Sequence, residues 1–367
     1  MKTLYVLLLL VFITLPKSYA THLLGGEIRA AHVSGQTYKI SVHLQLDRNT
    51  GTNASNAMQS VNVCFGDGQT SEFPRVSVTS LSEELMLSVF EKTYTYPSSG
   101  TFQISASINA RTGGFLNLEN AETENLFLWT VIDTQAPNAT PILPYPTLTA
   151  GIRQIFSIDL QPLVADKDSV TMRLQAASRP SPGTCGVRSL HPSFFYPNDL
   201  TKNGTFKIDQ KGKKLIWNAP ERVGRYVYAF VVYEWRDGIA ISESYHEGTI
   251  IVSDKPGEQV IVPQYESAGS LITSVPPSDG NSPEVSMTIN AYPIPTEDFL
   301  SFRVSSIKPS TIQVQLFNLQ GQMVRAMFSR EPVYSVQDEF DVRMLPKGLY
   351  ILKADNGQES VSQKVVR

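Results

Sequence analysis

The stretch Cys64-Phe-Gly-Asp-Gly-Gln-Thr70 places one carboxylate between two glycines, an arrangement that could present a general base or a metal ligand. General acid–base chemistry needs a second titratable group within hydrogen-bond reach, and no acid or histidine lies close enough to Asp67 in sequence to suggest such a pair. Flanking glycines also permit the positive φ angles of a tight turn, in which an aspartate accepts hydrogen bonds from local backbone amides. We therefore predict that Asp67 belongs to a turn at the end of a strand.

The chain has two cysteines, and one of them, Cys185, precedes His191 and Asn198 in a proline-rich loop. These three residue types make up a Cys-His-Asn catalytic set. The members of such sets usually lie far apart in sequence, however, and no neighbouring residue marks an acidic thiol, so we do not predict a nucleophile here. A protein that depended on disulfides would carry more than two cysteines, and we expect Cys64 and Cys185 to be separate thiols.

Other catalytic signatures are absent from the sequence. It contains no G-x-S-x-G elbow, no Walker loop and no glycine-rich dinucleotide fingerprint. The histidines lack the spacing of a zinc site; they are His22, His32, His43, His191 and His246. These absences do not exclude an enzyme, because the paired carboxylates of a glycosidase can come from distant strands of a sandwich without any local signature.

An aromatic run, Phe194-Phe195-Tyr196, lies in a loop bounded by prolines. Exposed aromatic rings on a β-sandwich can stack on a sugar or anchor a protein partner. The alternative, which we favour, is that the loop folds over the end of a sheet and buries its rings. The sequence therefore offers these three residues as candidate ligand contacts and leaves both interpretations open.

The N-terminus has the features of a secretory signal peptide. Lys2 precedes an apolar run from Leu4 to Leu15, and small residues stand at the two cleavage positions that end at Ala20. A helix of this length rises only about 18 Å, less than the hydrocarbon core of a membrane. We expect cleavage after Ala20 and a protein that is exported by way of the periplasm. The net charge of −3 provides no field for nucleic acid or anionic lipid, so we expect neither as a main partner.

The remaining chain alternates between short apolar–polar runs and turn residues, which is the pattern of β-strands. In Tyr38–Asp47, for example, the apolar residues Ile40, Val42, Leu44 and Leu46 recur at every second position. The run Tyr226–Trp235 is apolar at consecutive positions and predicts a central strand that is covered on both faces. We predict an all-β fold of tandem Ig-like β-sandwiches followed by a smaller C-terminal β-sandwich.

Composition suggests where these units begin and end. A proline-dense segment, Asp133–Pro146, favours stiff extended chain and separates a first block (21–136) from a second (147–253). Residues 254–290 are rich in Ser, Pro and Gly and are predicted to be a linker. Alternation returns in residues 291–367. These assignments, with the signal peptide at 1–20, complete the predicted domain organisation.

The first two blocks resemble modules of bacterial surface proteins. The FGDG turn and the later Lys92-Thr-Tyr-Thr-Tyr-Pro with Gly100-Thr101 have the order found in PKD-type Ig-like domains. In the second block, Asp166-x-Asp168, the strand around Trp217 and the long strand after Gly224 are similar to cadherin-like repeats. Acidic loop residues of such repeats can bind Ca²⁺, which takes six to eight oxygens. The resemblance thus offers Asp166 and Asp168, with Asp133, as calcium ligands, although ordinary solvated acids would have the same sequence.

The last block carries the most specific motifs. It opens with Tyr292-Pro-Ile-Pro295, has a glycine turn after a strand, continues with Leu345-x-x-Gly-Leu-Tyr350 and closes with Lys364-Val-Val. In this order it resembles the C-terminal sorting domain of the type IX secretion system, with Ile294 in place of the family's asparagine. The matching positions are Tyr292, Pro293, Pro295, Gly321, Gly348, Tyr350 and Lys364. The resemblance implies recognition by the outer-membrane translocon, removal of the domain, and cargo that is released or attached to surface lipopolysaccharide.

Together these observations favour a non-enzymatic binding or adhesion protein, secreted or displayed on the outer cell surface, with an unknown glycan or protein ligand. Two other classes stay open at this stage. One is an extracellular polysaccharide hydrolase or its accessory subunit, and the other is a structural component of a gliding or surface apparatus. No cofactor is expected apart from the calcium considered above.

Overall fold

A computed structural model describes residues 23–49, 56–109, 111–181, 185–236, 239–268, 287–357 and 360–367. The predicted signal peptide, residues 1–20, lies outside the described residues. Almost all regular structure is β, in several sheets, and the predicted all-β fold class of tandem Ig-like sandwiches is confirmed. Within the described ranges, no helix has the length and apolar character needed to cross a membrane.

The described strands are short or of moderate length and pair with one another antiparallel, apart from the parallel pair of β8 and β16. In chain order they are β1 (Leu23–Ser34), β2 (Thr37–Asp47), β3 (Ser60–Cys64), β4 (Thr70–Ser80), β5 (Leu85–Thr95), β6 (Thr101–Ile108), β7 (Leu126–Asp133), β8 (Thr149–Gly151), β9 (Phe156–Asp159), β10 (Ser169–Leu174), β11 (Ser178–Pro180), β12 (Arg188–Leu190), β13 (Thr205–Asp209), β14 (Lys214–Asn218), β15 (Gly224–Arg236), β16 (Ile239–Ser253), β17 (Met287–Tyr292), β18 (Phe299–Ser310), β19 (Gln313–Asn318), β20 (Met323–Phe328), β21 (Val333–Asp341), β22 (Leu349–Asp355) and β23 (Ser360–Val366). Two 3-10 helices, η1 (Ala121–Thr123) and η2 (Pro197–Asp199), interrupt the loops.

Eight strands of the largest sheet close on themselves. Their order around the ring is β1, β2, β5, β4, β3, β6, β7 and β16, and β16 pairs back with β1. The alternation in β2 directs its apolar residues inward, because successive side chains of a strand point to opposite faces. Ile40, Val42, Leu44 and Leu46 are accordingly buried in the first core. The other seven strands of the ring also contribute residues to this core, among them Tyr245 of β16.

Strand β15 separates two cores, as its continuous apolar run predicts. Ala229, Val231 and Tyr233 belong to the first core. The alternate positions, which include Tyr228 and Phe230, belong to a second core on the other face. A small sheet of β13, β14 and β9 covers that second face. Strand β15 thus supplies side chains to both hydrophobic cores and lies between them.

The sequence places a boundary between the first two blocks, whereas the structure joins them. Strand β16 comes from the second block and pairs with β7 and β1 of the first. The proline-dense segment does not span a gap but runs along β1, where the His32 amide donates to the Asn138 carbonyl (3.0 Å) and the Ala30 amide donates to Thr140 Oγ1 (3.1 Å). Residues 23–253 therefore form one connected body, here called the cargo.

The cargo contains a disulfide between Cys64, at the end of β3, and Cys185, just before β12. The expectation of two separate thiols is therefore wrong. It failed because the cysteines were assigned to different blocks, 121 residues apart in sequence. The β11–β12 hairpin of the second block returns across β7, where Trp129 Nε1 donates to Ser178 Oγ (3.0 Å), and this return brings the two sulfurs together.

The first part of the predicted linker lies on the cargo. The Val260 amide donates to the Arg153 carbonyl (2.8 Å), the Gly204 amide donates to the Pro263 carbonyl (2.9 Å), and Ala268 packs against the second core. Residues 254–268, here called the strap, thus continue the cargo beyond the predicted boundary. Residues 269–286 lie outside the described part of the chain.

The C-terminal block is a two-layer unit of its own. One sheet contains β17, β18 and β21, and the other contains β20, β19, β22 and β23. A third core fills the space between them, with Phe302, Leu316 and Leu352 at its centre. Strands β22 and β23 form a C-terminal hairpin. The Asn356-Gly357 dipeptide between them predicts a two-residue type I′ turn, whereas Asp355 pairs with Ser360, which leaves four residues in the connection.

Candidate functional site

The opening motif of the C-terminal block lies between the cargo and the block's own last strand. Tyr292 ends β17 and is fully buried, Pro293 is half-buried, and Pro295 is exposed. Both peptide bonds that precede these prolines are cis. The Thr296 amide then donates to the Val366 carbonyl (2.8 Å), which joins the opening motif to the end of β23. The motif therefore contributes to the packing of the block.

The remaining motif residues shape turns and close the unit. Gly321 has a φ of +77° in the β19–β20 turn, a region that favours glycine. The Gly348 amide and carbonyl pair with the carbonyl and amide of Arg367 at 2.8 and 2.9 Å, which fastens the chain end. The Tyr350 hydroxyl donates to the Pro346 carbonyl (2.6 Å), whereas the side chain of Lys364 is exposed. The Lys364 side chain is thus open to an external partner.

The three candidate calcium ligands do not form a common site. Arg236 pairs with Asp168 through two hydrogen bonds, of 3.0 and 2.7 Å, and its guanidinium lies 3.8 Å from Asp166. Asp133 instead accepts a hydrogen bond from the Gln135 amide (2.9 Å). Among the described residues, no group of three His, Cys, Asp or Glu side chains is placed to hold a metal ion. Calcium binding stays a prediction that a cation titration would test.

Asp67 lies in a tight turn, as predicted. Gly66 and Gly68 have φ angles of +86° and +87°, and the carboxylate accepts a hydrogen bond from the Gln69 amide (3.0 Å). It also accepts a hydrogen bond from the Tyr94 hydroxyl. Burial, strengthened by this carboxylate, raises the pKa of Tyr94. The turn carboxylate is thus committed to local contacts.

The Cys-His-Asn candidates are likewise committed elsewhere. Cys185 is in the disulfide, and His191 Nε2 lies 2.8 Å from Glu124 Oε2. Asn198 donates to the Glu266 carbonyl of the strap (2.8 Å). These three residues therefore serve packing rather than nucleophilic chemistry.

The aromatic run forms a fixed loop with partly exposed rings. Phe194 packs beside a small cluster around Leu118, and Tyr196 packs against the second core; their rings meet edge to face at 5.4 Å. Phe195 is held through its backbone, since its amide donates to the Asn117 carbonyl (3.2 Å) and its carbonyl accepts from Asn117 Nδ2 (2.8 Å). All three side chains keep part of their surface in solvent. The loop is thus both packed and accessible.

Sequence reasoning missed a buried charged cluster where β1 meets β16. Glu27 Oε2 lies 2.7 Å from His246 Nδ1, and Arg29 Nε donates to Glu27 Oε1 (2.7 Å). Next to them, Glu247 pairs with Arg111 and accepts a hydrogen bond from the Tyr245 hydroxyl (2.6 Å). The detectable signal was the glycine pair before Glu27, because glycine inside a strand marks close approach of another backbone. A Cβ on Gly25 would lie 2.1 Å from the Glu247 carbonyl oxygen.

The cluster shifts the ionisation of its members in opposite directions. Burial alone would raise the pKa of Glu27, but His246 and Arg29 outweigh it and hold that pKa well below its usual range. Burial, with Arg29 adding to it, lowers the pKa of His43 to about 4. Burial raises the pKa of Glu247 even though Arg111 opposes the shift. Glu27 and Glu247, whose side chains point to opposite faces of the sheet, therefore differ in proton affinity.

A small cavity adjoins this cluster beneath the proline-dense segment. Its lining includes Glu27, Gln45, Tyr145, His246 and Glu247, and its volume is about 20 Å³. Gln45 Oε1 and His246 Nε2 are buried there without a hydrogen-bond partner. A space of this size fits a water molecule, which needs at least about 10–15 Å³ and polar partners, rather than a sugar ring. The cavity can hold water, but as it stands it does not admit a polysaccharide.

Comparison with known proteins identifies the C-terminal block. Residues 290–367 match the family described as "Secretion system C-terminal sorting domain". None of the curated proteins matches this chain. A solved structure titled "Biofilm associated protein - BSP domain" is similar over 98% of this chain and 69% of that chain, with 8% sequence identity and a TM-score of 0.18. A geometric agreement this low carries no argument about the cargo. The chain therefore ends in a type IX secretion C-terminal sorting domain, which marks the protein for export by that system to the cell surface or the surrounding medium.

Proposed function

We propose that this protein is a non-enzymatic binding or adhesion protein that acts at the cell surface or after release. The observation that carries the proposal is the sorting domain attached to an all-β cargo. The cargo also suits an external environment, because a disulfide ties its two blocks together and strand β15 joins their cores. The buried carboxylates where β1 meets β16 also support a binding role, because Glu247 is paired with Arg111 and Glu27 with His246.

The aromatic loop is the proposed ligand contact. Phe195 presents a ring that is partly in solvent, and the Asn117 hydrogen bonds hold its backbone in place before a ligand arrives. A ring that is already ordered loses little conformational entropy on binding. Aromatic rings stack on the apolar face of a sugar or fill a pocket on a protein. The ligand class is therefore a glycan or a protein surface.

Delivery is tested by deleting residues 287–367 in the producing cell. Without the sorting domain, we expect the cargo to accumulate in the periplasm, as judged by cell fractionation and by labelling of intact cells with an antibody. Fractionation of the full-length protein between medium and surface lipopolysaccharide also distinguishes release from attachment. Normal surface delivery of the truncated chain would contradict the export route.

Binding is tested with the purified cargo on an array of oligosaccharides and in adhesion assays on polysaccharide-coated surfaces. Phe195→Ala should weaken binding about tenfold, which corresponds to one lost ring contact, and leave the unfolding midpoint unchanged. Phe194→Ala is the matched control: it removes a ring that packs on the cluster around Leu118 and should lower stability instead. If Phe195→Ala lowers stability and leaves every binding signal intact, the loop is not the ligand contact.

One observation favours a second candidate, a polysaccharide hydrolase. Glu27 and Glu247 line the same cavity and differ in proton affinity, as the acid and base of a glycosidase do. Their ion pairs and the volume of about 20 Å³ weigh against this function. Incubation of the protein with polysaccharides, with Glu247→Gln as control, decides the matter: release of reducing sugar that the substitution abolishes would favour the hydrolase.

A further inference from the structure

The contact between the sorting domain and the cargo is centred on one arginine. The guanidinium of Arg188, on β12, lies 3.7 Å from the ring centroid of Trp129 and 4.0 Å from that of Tyr292. Trp129 belongs to the cargo, and Tyr292 belongs to the opening motif of the sorting domain. The arginine is also 2.8 Å from Glu243 Oε2, and its side chain is 1% exposed. A cation–π contact strengthens when it is desolvated in this way.

The two units also join through their backbones beside this arginine. The Ile294 amide donates to the Thr101 carbonyl (2.8 Å), so that the opening motif forms a β-bridge with the first residue of β6. Gly100 permits this approach, because a Cβ at that position would lie 2.3 Å from the Ile294 carbonyl oxygen. The bridge therefore needs both the sorting motif and a glycine of the cargo.

Polar side chains extend the contact on both sides. Asn290 Nδ2 donates to Glu243 Oε1 (3.1 Å), so Glu243 contacts the sorting domain and Arg188 at once. Arg303 lies 5.0 Å from the ring centroid of Tyr233, and its Nη2 is 3.5 Å from Gln175 Oε1. The Tyr292 side chain is buried in the first core, among residues of the cargo, rather than in the core of its own block. An aromatic residue of the sorting motif thus completes the hydrophobic core of another unit.

We infer that the cargo is a receptor for its own sorting domain: it binds the opening motif through Tyr292, and the two units stay together non-covalently after the chain between them is cut. The receptor surface consists of Arg188, which packs on Trp129 and on the incoming ring, and the adjacent Thr101 carbonyl acceptor, and it takes a Tyr-Pro segment with a cis peptide bond. While the units are docked, the ring of Tyr292 is unavailable to any other protein. A protein that binds this ring must first separate the sorting domain from the cargo. Lys364, by contrast, is exposed whether or not the two units are docked.

The experiment places a site-specific protease sequence within residues 269–286, between the strap and β17. The full-length mature chain is purified, cut, and analysed by size-exclusion chromatography at physiological salt and micromolar concentration. We expect the cut wild-type units to co-elute. Tyr292→Ala should weaken their association about 30-fold, as expected for loss of a desolvated cation–π contact, and the sorting domain should elute separately. Separation of the cut wild-type units would overturn the inference.

Two further variants separate docking from folding. Tyr292→Phe keeps the ring, and because the buried hydroxyl has no hydrogen-bond partner, this variant should co-elute like the wild type. Gly100→Ala changes only the cargo and should release the sorting domain, since the new methyl group collides with the Ile294 carbonyl. If Tyr292→Ala does not fold, Gly100→Ala still provides the test. Co-elution of cut Gly100→Ala at wild-type affinity would refute the assigned interface.

Discussion

Removal of the disulfide should lower the stability of the cargo substantially. The bond between Cys64 and Cys185 spans 121 residues, and the chain-entropy relation for a loop of that length gives about 5 kcal/mol at 25 °C. Measured values for disulfides usually fall lower, at about 2–4 kcal/mol, because unfolded chains keep some structure. We therefore expect the double variant Cys64→Ser/Cys185→Ser to lose at least about 2 kcal/mol of unfolding free energy.

Urea denaturation followed by tryptophan fluorescence measures this loss selectively. All three tryptophans lie in the cargo, with Trp129 in the first core, Trp217 in the second, and Trp235 packed against the first. The fluorescence therefore reports the cargo rather than the sorting domain. With an m-value of about 2–3 kcal/mol per molar urea, the expected loss shifts the midpoint by at least about 0.7–1 M.

The reductant provides the matched control. A thiol reductant should shift the midpoint of the wild type toward that of the double serine variant and leave the variant unchanged. Alkylation and mass spectrometry of the unfolded, unreduced protein should find both sulfurs blocked. Free thiols in the exported protein, or equal midpoints for the oxidised wild type and the variant, would refute the reasoning.

Three further substitutions test the buried polar contacts by urea denaturation. Arg111→Ala should cost about 3–5 kcal/mol, since it leaves Glu247 buried and unpaired. The control is Lys39→Ala, which removes an exposed ion pair with Glu91 in the same unit and should change little; equal effects of the two would contradict the assigned burial. His43 has a folded pKa of about 4 against 6.5 ordinarily, so its contribution is complete above pH 6.5 and is lost as the pH falls toward 4; His43→Gln should flatten this part of the stability profile, and an unchanged profile would contradict the shift. Asn117→Ala should cost at least about 2 kcal/mol, because it leaves the Val227 amide and the carbonyls of Val227 and Phe195 without the side-chain partner; a neutral effect would mean that water replaces the amide.

Local sequence patterns predicted the elements whose burial or turn geometry depends on consecutive residues. Tyr226–Tyr233 is apolar at every position because each face of β15 meets a core, and the same residues therefore predict both the strand and its coverage. The sorting domain was identifiable for a related reason, since its turns require glycine at Gly321 and its chain end is fastened at Gly348. In both cases the cause lies within a few residues of its effect.

Contacts between distant residues could not be predicted in this way. Cys185 meets Cys64 because the β11–β12 hairpin crosses to the first block, and nothing near either cysteine encodes that return. The partners of Glu27 also come from a remote strand, with His246 more than two hundred positions later in the sequence. The turn after Asp355 failed for a different reason: Asn-Gly favours a two-residue connection, but the paired registers of β22 and β23 leave four residues.

The closure of the ring by β16 also fixes when the cargo can fold. Strand β1 begins at Leu23, and its partner is the last strand of the cargo; the Thr249 hydroxyl, 225 positions downstream, donates to the Leu24 carbonyl (2.6 Å). A nascent chain that ends at Arg236 has every other strand of the ring and still has two open edges. Because pairing between residues so distant in sequence forms slowly, we expect ring closure to be a late step of folding. The newly made protein therefore stays unclosed until its synthesis has passed Ser253.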